Sequence, residues 1–131
     1  MSKSASDHVN QPWAGIRDHV EKVQNGSYAV REVVESVFED IERLDGSINA
    51  FTSVLRERAR MRARFLDQSR SNEEPLPLLG VPFAVKNLFD VKNQVTLAGS
   101  KINRSNAAAV EDALLIRRLE KRGAILVGAL N

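Results

Sequence analysis

Lys86 stands at the end of Leu79-Gly80-Val81-Pro82-Phe83-Ala84-Val85, so a cation closes an otherwise apolar segment of strand length. Burial disfavours an ammonium and can lower a lysine pKa by roughly 3–5 units when it is complete, and the neutral amine is then a competent base. The plainer alternative is a lysine that guards a strand end or pairs with a carboxylate, and for a lone lysine physics alone favours it. Thr96-Leu97-Ala98-Gly99-Ser100 follows closely. As a nucleophile Ser100 needs a partner base that the sequence does not place beside it, and its alternative is loop capping. His8 and His19 are the only histidines, one in the polar leader and one on the polar side of a first helix, which argues against a histidine triad or a metal cluster. Acidic residues are plentiful but fall on helix surfaces, and there is no GxGxxG or phosphate-binding loop. On the residues alone the catalytic case is incomplete.

Composition narrows the class. The chain has 131 residues, 43% of them hydrophobic, which suits a single structural unit with a core. Nineteen basic against 17 acidic residues give a formal charge of +2, too balanced to imply a nucleic acid or an acidic membrane as partner. Cysteine is absent, so disulfides, thiolate catalysis and cysteine-based metal sites are excluded. Met1 to Asn10 lacks the apolar core of a secretory signal, and Ala124 to Leu130 is too short to span a bilayer. A soluble, cytoplasmic protein is expected.

The elements that must position Lys86 are read from periodicity. Trp13, Ile16, Val20 and Val23 recur at helical spacing up to Asn25-Gly26. Ser27 is expected to cap the next helix, whose stripe is Val30, Val33, Val34, Val37, Ile41 and Leu44 and whose end is Asp45-Gly46. Ile48 to Val54 reads as a short strand or an extended lead into a helix from about Leu55 to Gln68, with Leu55, Ala59, Ala63 and Leu66 facing inward. Arginines at 56, 58, 60, 62 and 64 alternate along that helix. Alternate helical residues point about 200° apart, so these cations spread around the polar surface and form no nucleic-acid stripe. After a polar connection over Ser69 to Pro77, Gly80 opens a strand with Val81, Phe83 and Val85 on one face and Pro82, Ala84 and Lys86 on the other. Asn87 to Ser100 reads as a loop. A last helix is expected from Asp112 to Arg122, with Glu111 and Asp112 in its first turn, Leu115, Ile116 and Leu119 inward, and Gly123 at its end. Ala124 to Val127 is then a strand buried on both faces. Helix, glycine and buried strand in that order are α/β grammar.

From Leu79 to Asn131 these motifs, in this order, resemble the amidase signature family. Leu-Gly-Val-Pro-Phe-Ala-Val-Lys at 79–86 looks like its lysine strand, and Thr96 with Gly99-Ser100 looks like the loop after it. Asp112 to Arg122 looks like the following helix, and Gly123 to Gly128 with Asn131 like the next strand and its exit. Upstream, Ile41-Glu42-Arg43-Leu44 and Ile48-Asn49-Ala50-Phe51 are similar to the helical start of the family, so the likeness covers roughly Ser27 to the end. Most family members carry aspartate after the lysine. With Asn87 in its place, Val85 to Asp90 and Thr96 to Arg104 look most like the branch that includes carboxybiuret hydrolases.

The resemblance implies an α/β fold in which N-terminal helices precede the first strands and helix of the family's mixed-sheet core, truncated at Asn131. Residues 1–131 would form the N-terminal part of a single amidase domain, with 1–12 disordered, 13–70 mainly helical and 79–131 beginning the α/β core. It also implies hydrolysis of an amide or ureide C–N bond by a Ser-cisSer-Lys triad, without metal or cofactor, in which Lys86 matches the lysine that takes a proton through a bridging serine. The bridging serine and the nucleophile belong to a Gly-Ser-rich segment that lies beyond Asn131 in the family, and Ser100 matches a different motif. The chain alone is therefore expected to be inactive, with a small amide or ureide as substrate of the whole enzyme and self-association through exposed strand edges. The alternatives are a non-catalytic interaction module built on the same fold and a fragment of the amidotransferase A-subunit type, for which the balanced charge and Asn87 give no support.

Overall fold

Period-3.6 stripes and one buried apolar strand organise the chain, for which a computed structural model describes residues 15–69, 74 and 76–131. Helix α1 spans Ile16–Gln24 and α2 Val30–Ile48; strand β1 is Phe51–Val54 and helix α3 Arg56–Ser69. Strand β2 follows at Pro82–Lys86, a 3-10 helix at Lys101–Ser105, helix α4 at Leu114–Lys121 and strand β3 at Ile125–Leu130. The expectations for 1–12 and Trp13, and most of the connection before Pro77, lie outside the described residues.

The buried side of α2 is Val30, Val34 and Phe38, one residue per turn. Phe38, absent from the expected stripe, is among its most deeply buried residues at 1% exposure. Leu44, on that stripe, is exposed. Ser27 does not cap this helix. Ala29 holds the N-cap position, its N–H donating to Glu32 Oε2 at 2.9 Å, while Asp67 of α3 accepts from the amides of Val30 (2.8 Å) and Arg31 (3.1 Å). A carboxylate on two free amides of a helix N-terminus satisfies orphan donors and the helix dipole together. At the far end the helix runs through Gly46 to Ile48 and stops at Asn49, in the left-handed region at φ 56°. There the carboxylate of Asp45 accepts from Ala50 N at 2.7 Å and turns the chain into β1.

Leu55, Ala59, Ala63 and Leu66 are all buried, as the spacing along α3 predicts. The arginines of α3 spread as expected. Arg60 grips Glu35 of α2 through two bonds at 2.7 and 2.9 Å, Arg56 lies 5.0 Å from the Phe38 ring centre, and Arg58 reaches Asp112 and Glu120.

The sheet has the order β1-β3-β2, with β2 parallel and β1 antiparallel to β3. It is the mixed α/β arrangement expected. As the central strand, β3 is buried from Ile125 to Ala129 and reaches Leu130, three residues past the expected end. Its alternation divides the core: Ile125 and Val127 join the cluster under α1, α2 and α3, whereas Leu126 joins Ile116, Val85 and Val91. Along β2 the expected faces shift, because Val81 and Ala84 pack on the first cluster and Phe83 and Val85 on the second. The register slips by one residue of β3 between Phe83 and Ala84, which breaks strict alternation.

Helix α4 starts later than expected, with Ala113 as N-cap and no acidic residue in its first turn. Asp112 is committed elsewhere: both its oxygens accept from Arg58 at 2.7 Å, and Oδ1 also accepts from Lys92 N at 2.8 Å. Of the expected inner face only Ile116 is fully buried, and Leu115 is 43% exposed.

The hydrogen bonds from Arg58 hold the Asp112 carboxyl below its ordinary range, against the opposing effect of burial and with help from the Lys92 amide. A folded-state pKa below the unfolded value of about 3.9 adds stability above that value and loses it as pH falls through the folded pKa. The stability advantage of the parent over Asp112→Asn, measured by thermal melts, is therefore expected to be full at pH 6 and to shrink as the pH is lowered to 3. An advantage unchanged across that range would remove this ion pair from the acid response.

Candidate functional site

Lys86 ends β2 opposite Leu130, the last residue of β3, so it sits at the C-terminal edge of the parallel pair. That edge is where α/β folds place ligand-binding groups. The chain turns away at once, the Lys86 carbonyl accepting from Leu88 N at 2.7 Å and Phe89 N at 3.2 Å. The Lys86 side chain is exposed and makes no ion pair among the described residues. The burial anticipated from the apolar strand does not occur at this position, because the turn lifts residue 86 to the rim of the sheet. Of the plainer alternatives, pairing with a carboxylate is not observed among the described residues, whereas an exposed lysine as the last residue of β2 fits a strand-end guard.

Asn87 is the buried polar residue at this edge, 8% exposed. Its N–H continues the parallel ladder to Leu130 O at 2.7 Å, and its carbonyl accepts from Ala98 N at 2.8 Å. The carboxamide Oδ1 accepts from Leu97 N at 2.8 Å, and Nδ2 donates to Thr52 Oγ1 at 2.8 Å. Thr52 directs its own proton to Ala129 O at 3.2 Å. One residue thus joins β1 and the loop after β2 through its side chain and β3 through its backbone.

That loop, 87–100, contains turns and no regular element, as expected. It carries a non-glycine residue, Ala98, at φ 48° beside Gly99 at φ 73°. An alanine there costs roughly 1–3 kcal/mol, and such residues cluster where the surrounding structure imposes a shape. The hydroxyl of Ser53 donates to Gln94 at 3.0 Å, and between β1 and the loop lies an open cleft of about 350 Å³ with Thr52, Asn87, Gln94 and Leu97 on its walls. Lys86 is not among its lining residues.

Ser100 precedes the 3-10 helix and makes no side-chain capping bond. Its hydroxyl makes no hydrogen bond to a base among the described residues. His19 departs from its expected place on the polar face of α1: its Nε2 lies 2.9 Å from Gly80 O, which ties α1 to the approach to β2. His8 lies outside the described residues. Among the described residues no three or more His, Cys, Asp or Glu side chains are placed to hold a metal ion, and no helix is long and apolar enough to cross a membrane. Sequence reasoning named Lys86 but missed Thr52, since the bond to Asn87 spans 35 positions.

A family profile described as Amidase matches residues 32–131. AtzE of Pseudomonas sp. (strain ADP), described as a 1-carboxybiuret hydrolase subunit, is 48% identical over 113 residues, covering 86% of this chain and 25% of that protein. The A-subunit of the glutamyl-tRNA(Gln) amidotransferase of Bdellovibrio bacteriovorus is 38% identical over 120 residues, covering 91% of this chain and 24% of its own length. Among solved structures, one described as an unexpected vestigial protein complex that reveals the origins of an s-triazine catabolic enzyme superposes with a TM-score of 0.86 at 45% identity, over 90% of this chain and 26% of its own. An amidase family protein from Bacillus anthracis gives a TM-score of 0.82 at 25% identity, over 97% of this chain and 25% of its own. The chain spans about a quarter of the length of the curated relatives it matches.

Proposed function

The chain belongs to the amidase family, and from that membership we propose that it forms the N-terminal part of a single-domain hydrolase of amide or ureide C–N bonds in which Lys86 is the catalytic lysine. The observation that carries this reading is the placement of Lys86: an exposed lysine at the C-terminal edge of β2 and β3, with no ion-pair partner among the described residues. The chemistry needs two further groups, a bridging serine and a serine nucleophile, which residues 1–131 do not match and a longer polypeptide would supply. The lysine, reacting as its neutral amine, takes the nucleophile's proton through the bridging serine as the hydroxyl oxygen attacks the carbonyl carbon. The C–N bond then breaks, the proton passes to the departing nitrogen, and water releases the acyl group from the serine. No step calls for a metal or a cofactor.

Higher identity to the carboxybiuret hydrolase relative than to the amidotransferase relative favours a small ureide or amide as substrate over a charged tRNA. The description of one similar structure as a protein complex supports a partner protein in the whole enzyme. The absence of cysteine suits a cytoplasmic setting.

Reading the coding sequence past Asn131 and assaying the resulting polypeptide for ammonia or amine release from ureides and simple amides tests the proposal. Continuation into a Gly-Ser-rich segment with turnover is expected, and no turnover from the 131-residue polypeptide by itself. A stop directly after Asn131 would instead favour an interaction module, for which the exposed apolar side chains of Leu88, Ile102 and Leu114 speak. Turnover by the short polypeptide that Lys86→Ala abolishes would refute the need for the two further serines.

A further inference from the structure

The bonds that surround the residue after Lys86 do more than close a loop. Asn87 is held on both backbone groups and on both ends of its carboxamide, while the side chain before it stands free at the sheet edge. The orientation of the carboxamide is dictated by its neighbours: Leu97 N–H can only donate, so an oxygen must face it, and the amino group is left for Thr52 Oγ1. Thr52 accepts that bond because its single proton is engaged with Ala129 O. The result is a neutral relay from Leu97 through Asn87 and Thr52 to Ala129, in which each donor meets an acceptor and which spans the loop, β1 and β3. A carboxylate in place of the carboxamide would set oxygen against oxygen at Thr52 unless Thr52 gave up Ala129. The carboxamide and the hydroxyl are therefore a matched pair.

We propose that Asn87 is a positioning residue for Lys86, acting through Thr52 to fix where the chain leaves β2 and so the direction in which the lysine points. The proposal rests on the reading of Lys86 as the catalytic lysine. Neither Asn87 nor Thr52 needs to touch substrate. Their side chains pin the loop that follows residue 86 to β1, beside the backbone ladder bond from Asn87 to Leu130, and misplacing a reacting group by about 1 Å can cost ~10²-fold in rate.

The test uses the longer polypeptide that shows hydrolysis. Asn87→Ala is expected to lower kcat by ~10-fold to ~100-fold with KM changed less than about threefold, since positioning of the base and not binding is lost. Thr52→Val, which removes the hydroxyl at nearly constant shape, is expected to lower kcat in the same way, and Thr52→Ser to restore it. The double variant is expected to be no worse than Asn87→Ala, because both act on one relay. Faster amide exchange at Leu97 and Ala98 in Asn87→Ala, with other protected amides unchanged, is the accompanying sign of a released loop. Full kcat in Asn87→Ala, losses that multiply in the double variant, or failure of Thr52→Ser to restore activity would overturn the proposal while leaving Lys86 its role. Absence of hydrolysis by the unsubstituted parent would remove the reading of Lys86 and this proposal with it, an outcome recognised because it appears before any substitution is made.

Discussion

Lys86→Ala, made in a polypeptide that hydrolyses an amide or ureide, is expected to lower kcat by ~10²-fold to ~10⁴-fold, the range a positioned proton acceptor contributes. The melting temperature should hardly move. Lys86 is exposed, makes no ion pair among the described residues, and contributes to β2 through its backbone, which alanine retains. Surface substitutions of this kind change stability by about ±0.5 kcal/mol. Lys86→Arg sharpens the test: it preserves positive charge and most of the length, but a guanidinium does not give up its proton near neutral pH and cannot serve as a base. If both variants lose activity together while folding normally, the amine is required for proton transfer. If Lys86→Arg stays active, the side chain acts as a charge that holds substrate. An alanine variant with the parent's kcat would take Lys86 out of the reaction.

The contrast between what could and could not be read from the sequence follows from range. Leu55, Ala59, Ala63 and Leu66 are buried as their spacing requires, and Ile125, Leu126 and Val127 divide between two faces as a strand's period of two requires. Periodicity reports which face is covered, and it does so locally. It does not report which polar group arrives from elsewhere in the chain. Asp67 caps α2 from a distance of 37 positions, which is why Ser27 next to the helix drew the assignment. Asp112 answers to Arg58 at a separation of 54, so it stands ahead of α4 and not in its first turn. Expected faces can mislead as well: Leu115, read onto the inner face of the last helix with Ile116 and Leu119, is 43% exposed. At the site, the motif around Lys86 was legible as a resemblance, while the depth of the lysine and the Asn87–Thr52 relay depended on where the chain turns after β2.

A large loss of stability is expected from Gly123→Ala. Gly123 follows α4 and leads into β3, with φ at +100°, and its carbonyl accepts from Gly80 N at 3.0 Å. It thereby fastens the end of α4 to the turn that launches β2. A Cβ added here would lie 2.8 Å from Leu79 Cα and 2.9 Å from Leu79 N, both backbone atoms that cannot swing aside. Two costs then act together. An L-residue in the left-handed half of backbone space loses roughly 1–2 kcal/mol, and forced overpacking adds typically 1–3 kcal/mol. A loss of ~2–5 kcal/mol is a large share of the ~5–15 kcal/mol that holds an ordinary domain together. Because Leu79 belongs to the main core cluster, the strain falls on the approach to β2 and hence on the strand that carries Lys86. Gly46→Ala supplies the comparison: that glycine lies within α2, nothing stands within 4 Å of its added Cβ, and the substitution is expected to stabilise by about 0.5–1 kcal/mol. Denaturant unfolding of the two variants beside the parent measures both. A Gly123→Ala protein as stable as the parent would mean that Leu79 can retreat, and that the junction of α4, β2 and β3 is looser than the close approach of these backbones implies.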